Sequence, residues 1–269
     1  MRMPGILYGT AWKKAQTAPL VRQAIAQGFR GIDTACQPKH YHEPGVGEAV
    51  VAAIADGLRR DELFLQTKFT SVSGQDPSRV PYDANASLPD QVSQSFAASL
   101  LNLQTTYVDS LVLHSPLPRM EQTLEVWHAM EVLVDDGRVR HIGISNCYRL
   151  DAFEALYRAS RIKPTVLQNR FYAESDYDVA LRAFCRRHEV TYQSFWTLTA
   201  NPHLLADETF RLLSLKYQRT PAQLLFRYLT QNGVVPLTGT RSEAHMREDL
   251  DSFAFELTET ELQAITALL

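Results

Sequence analysis

Residues 63–69 read Leu-Phe-Leu-Gln-Thr-Lys-Phe, a short and mainly apolar run that carries Lys68 near its carboxyl end. The same pattern occurs where Gly31-Ile32 leads into Asp33 and where residues 110–113 lead into His114. Apolar runs of this length are typical of strands that are buried on both faces of a parallel sheet. Titratable groups at the carboxyl ends of successive buried strands are the arrangement of (β/α)8-barrel enzymes, so these stretches predict that fold.

The rest of the chain extends the pattern to eight strands that alternate with helices. The runs predicted as strands are residues 6–10, 31–35, 63–69, 110–115, 139–146, 166–172, 191–196 and 234–240. Helical patterns lie between them, and one begins with a capping box at Thr220-Pro221-Ala222-Gln223. Because no linker, repeat or charge block interrupts the alternation, we predict an α/β protein with a single (β/α)8 TIM-barrel domain over residues 1–269.

Composition narrows the classes of partner. Hydrophobic residues make up 45% of the 269 positions and charged residues 21%, as in ordinary globular proteins. A formal net charge of −3 argues against nucleic acid or an acidic membrane surface as the partner. No apolar run has the length of a membrane span, and the first residues lack the apolar stretch of a signal peptide. Cys36, Cys147 and Cys185 have no CxxC spacing and suit a reducing compartment. We therefore expect a cytoplasmic protein, monomeric or weakly homo-oligomeric, that acts on a small molecule.

Asp33, Tyr41, Lys68 and His114 together have the composition of a proton-transfer site. The ammonium of Lys68 would lower the pKa of the Tyr41 phenol from about 10, and the carboxylate of Asp33 would keep that lysine protonated. A ring N–H of His114 could polarise a substrate oxygen. Each residue alone could be structural, as a turn cap, a solvated lysine or a satisfied histidine. Jointly they predict an enzyme that reduces carbonyl groups.

Several separate motifs occur in the order typical of one enzyme family. They are Gly31-Ile32-Asp33-Thr34-Ala35, Tyr-His-Glu-Pro-Gly-Val-Gly at 41–47, Thr67-Lys68, Tyr-Val-Asp-Ser-Leu-Val-Leu-His-Ser-Pro at 107–116, Val-Arg-His-Ile-Gly-Ile-Ser-Asn at 139–146, Gln-Asn-Arg-Phe at 168–171 and Thr-Pro-Ala-Gln at 220–223. In these motifs the chain resembles the aldo-keto reductase superfamily, over about residues 8–257. The resemblance implies a (β/α)8 barrel that reduces an aldehyde or ketone with NADP(H) or NAD(H), or catalyses the reverse oxidation.

The resemblance also implies roles for individual residues. Tyr41 would protonate the carbonyl oxygen as hydride reaches the carbon, Lys68 and Asp33 would lower the pKa of its phenol, and His114 would orient the oxygen. Trp12, Tyr41 and His114 would contact the substrate. The cofactor would be bound by Gly9, Thr10, Asp33, Ser145, Asn146, Gln168, Phe195, Trp196, Leu198, Gly239, Thr240, Arg241, His245 and Asp249. Among these, Ser145, Asn146 and Gln168 would hold the nicotinamide carboxamide, and Phe195 would stack on its ring.

The position of the acid departs from the commonest family pattern. Tyr41 follows Asp33 by eight residues, a longer gap than usual. Residues 36–40 must therefore bulge for the phenol to reach Lys68. His40 and His42 are the competing candidates for the acid.

The residues at the cofactor end of the site also differ from the commonest family pattern. Gly239 and His245 stand where many members have a lysine and an arginine that bind the 2′-phosphate of NADP. This change weakens the case for a strict NADPH preference. Thr240 and Arg241, beside the N-terminus of a helix that starts near Ser242, could still bind the phosphate. The preference between NADP(H) and NAD(H) therefore stays open.

Two long loops are predicted on the face where active sites form. Residues 70–88 could cover an open substrate pocket, and residues 197–207 could close over a bound cofactor. Side chains proposed as pocket walls are Trp12, Trp196, Phe69 and Tyr172, which would suit a partly apolar carbonyl compound.

Other chemistries fit these residues less well. His40-Tyr41-His42 resembles the paired histidines of metal-dependent barrel hydrolases, but later strand ends supply no further ligand set, so no metal is expected. No GxGxxG motif follows a strand, which argues against a Rossmann-type dinucleotide site. A Schiff base on Lys68 conflicts with the neighbouring carboxylate of Asp33. The remaining alternative is a regulatory subunit that binds the cofactor with little turnover.

Overall fold

The computed structural model describes residues 3–269 and contains a closed barrel of eight parallel strands that pair in chain order. The strands are β1 (Leu7–Gly9), β2 (Gly31–Asp33), β3 (Phe64–Phe69), β4 (Val108–Leu113), β5 (Val139–Ser145), β6 (Val166–Arg170), β7 (Thr191–Phe195) and β8 (Val234–Thr238). The helices are α1 (Thr17–Gln27), α2 (Glu43–Ala55), α3 (Leu88–Leu103), α4 (Met120–Asp135), α5 (Leu150–Ala159), α6 (Val179–Arg187), α7 (Pro202–Leu205), α8 (Glu208–Tyr217), α9 (Pro221–Gln231), α10 (Glu243–Asp251) and α11 (Glu259–Thr266). The predicted (β/α)8 barrel is confirmed, and all eight predicted strands are present.

The helix ends follow from local chemistry. Helix α1 stops at Gly28, whose φ of 116° is a left-handed conformation that glycine adopts at little steric cost. Helix α9 begins with the predicted capping box: the Thr220 hydroxyl accepts from the Gln223 backbone N–H, and the Gln223 side chain accepts from the Thr220 backbone N–H. Pro221, at the first position of this helix, has no backbone N–H to leave unpaired.

Strand register brings polar side chains of the barrel interior to one level. Asp33 on β2 pairs with Gln66 on β3, and Gln168 on β6 pairs with Gln193 on β7. Side chains alternate along a strand, so residues two positions further on point the same way. Lys68 therefore lies above Gln66, toward the carboxyl ends of the strands, where it can reach the end of β2.

The two long connections differ in structure. Residues 70–88 form a loop with one 3₁₀ turn at Val72–Gly74, whereas the β7–β8 connection contains the additional helices α7 and α8 before α9 packs on the barrel. Apolar side chains between the barrel and its helices form one continuous core. No helix within residues 3–269 is both long and apolar enough to cross a membrane.

Candidate active site

A cavity of about 970 Å³ lies at the carboxyl ends of the strands. The predicted site residues that line it are Gly9, Trp12, Asp33, Tyr41, His114, Ser145, Asn146, Gln168, Phe195, Trp196, Leu198, Gly239, Thr240, His245 and Asp249. Thr10, Lys68 and Arg241 do not line it. Thr10 and Lys68 are buried behind the wall, and Arg241 is exposed beside it. Residues from seven of the eight strand ends are thus brought together at one face.

Asp33 and Lys68 form a buried ion pair beneath the cavity. Lys68 Nζ lies 2.6 Å from each carboxylate oxygen of Asp33 and donates to the Thr34 carbonyl oxygen at 2.9 Å. Burial lowers the pKa of Lys68, and its contacts with Asp33 oppose that shift. One Asp33 oxygen also accepts hydrogen bonds from the side-chain amides of Gln66 and Gln168, at 2.7 and 3.1 Å. These bonds satisfy the buried carboxylate and fix the position of the ammonium.

The Tyr41 ring lies beside this pair. Its centroid is 5.4 Å from Lys68 Nζ and 6.0 Å from the centroid of the His114 ring. The chain reaches this position through a turn in which the Tyr41 backbone N–H donates to the Gln37 carbonyl oxygen at 3.1 Å. The longer gap after Asp33 is accommodated in this way.

The acidity of Tyr41 differs from the prediction. Burial, and the negative charge of Asp33, raise the pKa of the phenol above its ordinary value. The predicted lowering of this pKa by Lys68 is therefore wrong. Asp33 contacts Lys68 through both oxygens, so the positive charge is largely neutralised at the distance of the phenol and desolvation dominates.

His114 lies edge-on to the Tyr41 ring. Its imidazole is neutral. Burial, together with the positive charges of Lys68 and His40, lowers its pKa to about 3. Its Nδ1 lies 2.6 Å from Thr70 Oγ1. When the Thr70 hydroxyl donates to Nδ1, the single ring N–H is on Nε2. The ring then has one donor left for a ligand in the cavity.

The loop at residues 70–88 supports this histidine. None of residues 70–88 lines the cavity, so this loop does not cover the pocket in the structure. The Tyr82 hydroxyl donates to the Thr70 carbonyl oxygen at 2.7 Å, which fixes the residue that contacts His114. Phe69 and Tyr172 are also absent from the cavity wall. Residues of the other predicted loop do line it, namely Thr197, Leu198, Thr199 and Leu205.

The two histidines that compete with Tyr41 have different surroundings. His40 lines the cavity and stacks on Trp12, with 3.9 Å between ring centroids. His42 caps helix α2, because its Nδ1 accepts from the Gly45 backbone N–H at 3.1 Å. His42 therefore has a structural role, and His40 is the only one of the two in the cavity wall.

The residues predicted to hold a carboxamide are adjacent on β5 and β6. The Ser145 hydroxyl donates to the Gln168 carbonyl oxygen at 2.6 Å, and the Asn146 side chain donates to the His114 carbonyl oxygen at 2.8 Å. The side-chain nitrogen of Gln168 donates to Asp33 at 3.1 Å and to Gln193 at 2.8 Å. The side-chain oxygen of Gln168 is therefore left to accept from a ligand N–H, which a carboxamide supplies.

Unpaired charges surround the opposite end of the cavity, between β8 and β1. Lys13 is buried, and its Nζ donates to the Gly239 carbonyl oxygen at 2.8 Å. Burial, and the nearby charge of Arg241, lower the pKa of Lys13 to about 8. Within residues 3–269, neither Lys13 nor Arg241 forms an ion pair with a carboxylate. Two close cations without counter-charges fit the phosphates of a dinucleotide.

Asp249 adds an unsatisfied acceptor at this end. The residue is buried, its Oδ2 makes no hydrogen bond within residues 3–269, and burial raises its pKa to about 6. A buried polar atom without a partner is unusual in folded proteins. An N–H or O–H group of a bound dinucleotide would satisfy it, so the residues present fit such a cofactor.

Several residues of the site were missed by the sequence reasoning, and three of them bear on its chemistry. Lys13 is adjacent to Trp12 and gave no distinguishing pattern. Thr70 follows β3 and contacts His114 across the strand ends. Arg170 lines the cavity. The sequence could have indicated this residue, because it follows Gln168 by two positions and therefore lies on the same face of β6.

Comparison with known proteins identifies relatives of this chain. Residues 5–269 match the sequence model of the Aldo/keto reductase family. The chain is 30% identical over 254 residues to methylglyoxal reductase DkgA of Yersinia pestis, covering 94% of this chain and 84% of that protein. It is 31% identical over 248 residues to glyoxal reductase of Bacillus subtilis (strain 168), covering 92% and 82%. The crystal structure of an aldo/keto reductase from Brucella melitensis superposes with a TM-score of 0.83 at 29% identity, covering 99% of this chain and 95% of that one.

Proposed function

Because this chain belongs to the aldo/keto reductase family, we propose that Tyr41 is the residue with which it protonates its carbonyl substrate. The protein is an NAD(P)H-dependent oxidoreductase that reduces an aldehyde or ketone to an alcohol, or catalyses the reverse oxidation. The observation that carries the proposal is the Tyr41 ring, which lies 5.4 Å from the Lys68 ammonium and 6.0 Å from the His114 ring. The comparisons give no support to the regulatory alternative.

Enzymes of this family use NADP(H) or NAD(H). When bound, the nicotinamide supplies the hydride that reaches the carbonyl carbon. Ser145, Asn146 and Gln168 would hold its carboxamide, and the Phe195 ring would pack on its face. Asp249 would accept a hydrogen bond from the far end of the same molecule. Within residues 3–269 the side-chain oxygen of Gln168 and the Oδ2 of Asp249 accept no hydrogen bond, which supports this assignment.

Tyr41 donates its phenolic proton to the carbonyl oxygen as that oxygen gains negative charge. The raised pKa keeps the phenol protonated at neutral pH, and the transfer remains favourable because alcohols are weaker acids than phenols. His114 donates from Nε2 to the same oxygen and so stabilises its developing charge. The Lys68 ammonium, 5.4 Å from the centroid of the Tyr41 ring, is the cation beside the phenolate that forms, although Asp33 neutralises most of its charge.

The cofactor preference that fits the site is NADP(H). Gly239 and His245 supply neither the lysine nor the arginine found in many members, but Lys13 and Arg241 place two cations at the same end of the cavity. Ser242 also caps helix α10, whose N-terminal backbone N–H groups suit an anion.

The test of this proposal separates chemistry from cofactor binding. In Tyr41→Phe, turnover should fall by at least about 100-fold because the transferable proton is lost. The dissociation constant of NADPH should change less than about twofold, measured by quenching of the fluorescence of Trp12 and Trp196. Glyoxal and methylglyoxal, the compounds in the names of two relatives, are suitable first substrates. Retention of wild-type turnover in Tyr41→Phe, with loss of turnover in His40→Asn, would transfer the acid role to His40.

We also propose a cytoplasmic location for the protein, as a monomer or weak homo-oligomer. The support for the location is that Cys36, Cys147 and Cys185 are all buried free thiols, as expected in a reducing compartment. Light scattering coupled to gel filtration would measure the mass in solution, and a mass of a stable tetramer would contradict this assignment.

A further inference from the structure

The guanidinium of Arg170 lines the reaction cavity and has no hydrogen-bond partner in the part of the chain that the structure describes. Its Nε is buried without a hydrogen bond, and within residues 3–269 no nitrogen of this side chain donates to a protein acceptor. Arg60, by contrast, donates to Thr105, Leu63, Tyr107 and Asp109. An arginine carries five N–H donors, so Arg170 is a cation whose hydrogen-bonding capacity is unused by the protein.

Aromatic side chains fix the position of this cation. The guanidinium carbon lies 4.1 Å from the centroid of the Trp196 ring and 5.1 Å from that of the Tyr172 ring. Trp196 has a φ of 57°, a left-handed conformation that is costly for a bulky residue and is often found at functional sites. Stacking occupies the face of the guanidinium and leaves the N–H groups at its edge free for a planar anion.

The location of Arg170 favours the substrate as the source of that anion. Arg170 ends β6, on the same strand face as Gln168, which belongs to the set proposed for the carboxamide. Reduction takes place at this end of the cavity. Lys13 and Arg241, which suit the cofactor phosphates, lie at the β1 and β8 end. The phosphates therefore have other cations to contact.

We propose that Arg170 binds a carboxylate carried by the carbonyl substrate, so the preferred substrates are oxo acids rather than neutral aldehydes or ketones. The inference rests on the proposed function, because it takes Tyr41 and Gln168 as marking the end where reduction occurs. A guanidinium and a carboxylate form two parallel charge-assisted hydrogen bonds, which provide orientation as well as affinity.

The test compares each acid with its neutral ester. Wild-type protein is assayed with NADPH as the cofactor. The substrates are the acids 4-formylbenzoate and succinic semialdehyde and, separately, the methyl ester of each acid. We expect kcat/KM to be at least about tenfold higher for one acid than for its ester. Arg170→Met keeps a stem that packs on Trp196 but removes the charge, so the ratio of kcat/KM for the acid to kcat/KM for its ester should fall to about one. Arg182→Met is the matched control, because Arg182 lies over the Phe171 ring outside the cavity wall.

A binding measurement makes the outcome independent of turnover. Calorimetry with the protein saturated by NADP⁺ should show the acid binding at least about tenfold more tightly to wild type than to Arg170→Met. Equal binding of acid and ester by wild-type protein would overturn the proposal. A weaker affinity of Arg170→Met for both NADPH and NADH would also overturn it, because Arg170 would then contact the cofactor pyrophosphate. Failure of the proposed function would be seen separately, as the absence of turnover of both acids and both esters by wild-type protein.

Discussion

Asp249 is the residue whose replacement should raise stability and weaken cofactor binding together. Its carboxylate is buried at the end of the cavity between β8 and β1, and its Oδ2 has no hydrogen-bond partner within residues 3–269. Replacement by asparagine keeps the shape of the side chain and removes the buried charge. We therefore expect Asp249→Asn to be more stable than the wild type when no cofactor is present.

The pKa of Asp249 sets the size and the pH range of this effect. Burial raises that pKa from 3.8 to about 6. A group with a raised carboxyl pKa destabilises the fold when ionised, so the penalty is present above about pH 6 and is lost as the pH falls toward the unfolded value. At pH 7.5 the difference in pKa corresponds to about 3 kcal/mol, and at pH 4.5 it shrinks to about 1 kcal/mol. Since the asparagine amide also needs partners, the expected gain at pH 7.5 is about 1 to 3 kcal/mol.

Urea unfolding at pH 7.5 and pH 4.5 measures this difference. Asp251→Asn is the control, because Asp251 is exposed on the same helix and should change stability by less than about 0.5 kcal/mol. Binding of NADH should be several-fold weaker in Asp249→Asn, since the variant loses a charged acceptor. NADH is the better probe here because it lacks the 2′-phosphate, which itself titrates near pH 6. Equal stability of wild type and Asp249→Asn at both pH values would refute the reasoning.

Three further predictions concern the proton-transfer site and the phosphate end. Lys68→Met should lower the free energy of unfolding by about 3 to 5 kcal/mol, because Asp33 would be left as an unpaired buried carboxylate; a loss below 1 kcal/mol in urea titrations would contradict this. Thr70→Val should reduce kcat at least about tenfold without changing the dissociation constant of NADPH, because the imidazole that Thr70 contacts would lose its fixed tautomer; an unchanged kcat would count against it. Lys13→Met should weaken NADPH binding at least about tenfold, whereas Lys14→Met, which changes an exposed neighbour, should not. The affinity of wild-type protein for NADPH should also fall as the pH rises through about 8, the pKa of Lys13, and Lys13→Met should lack this fall.

The barrel was predictable from the sequence because its signals are local. Several strands, such as β4 and β8, are mainly apolar, and helix ends carry residues such as Gly28 and Thr220 whose chemistry fixes them within one or two positions. The contact of Asp33 with Lys68 was also predictable, because neighbouring parallel strands end at the same face. These inferences need only the order of strands along the chain.

Quantities that depend on several neighbours at once were not predictable. A lysine beside a phenol suggests a lowered pKa, but the pKa of Tyr41 is raised, because both oxygens of Asp33 contact Lys68 and little charge remains to offset burial. The contact between Thr70 and His114 was not predictable either, because it also depends on several neighbours at once. It depends on how the loop after β3 folds back, and no short-range pattern in residues 70–88 specifies that.

Several charged groups at the cavity of this barrel have no ion-pair partner within residues 3–269. Asp109, which is buried away from the cavity, has both Arg60 and Arg140 as partners. Lys13, Arg170 and Asp249 lie in or beside the cavity wall and form no ion pair within residues 3–269. Leaving such groups unpaired lowers the stability of the free protein, and only a ligand with anionic groups and hydrogen-bond donors would reverse that cost. The cofactor at about 100 times the wild-type dissociation constant should stabilise the wild-type fold by about 2.7 kcal/mol, and at that same concentration variants that lack these charges should be stabilised less because they bind it more weakly.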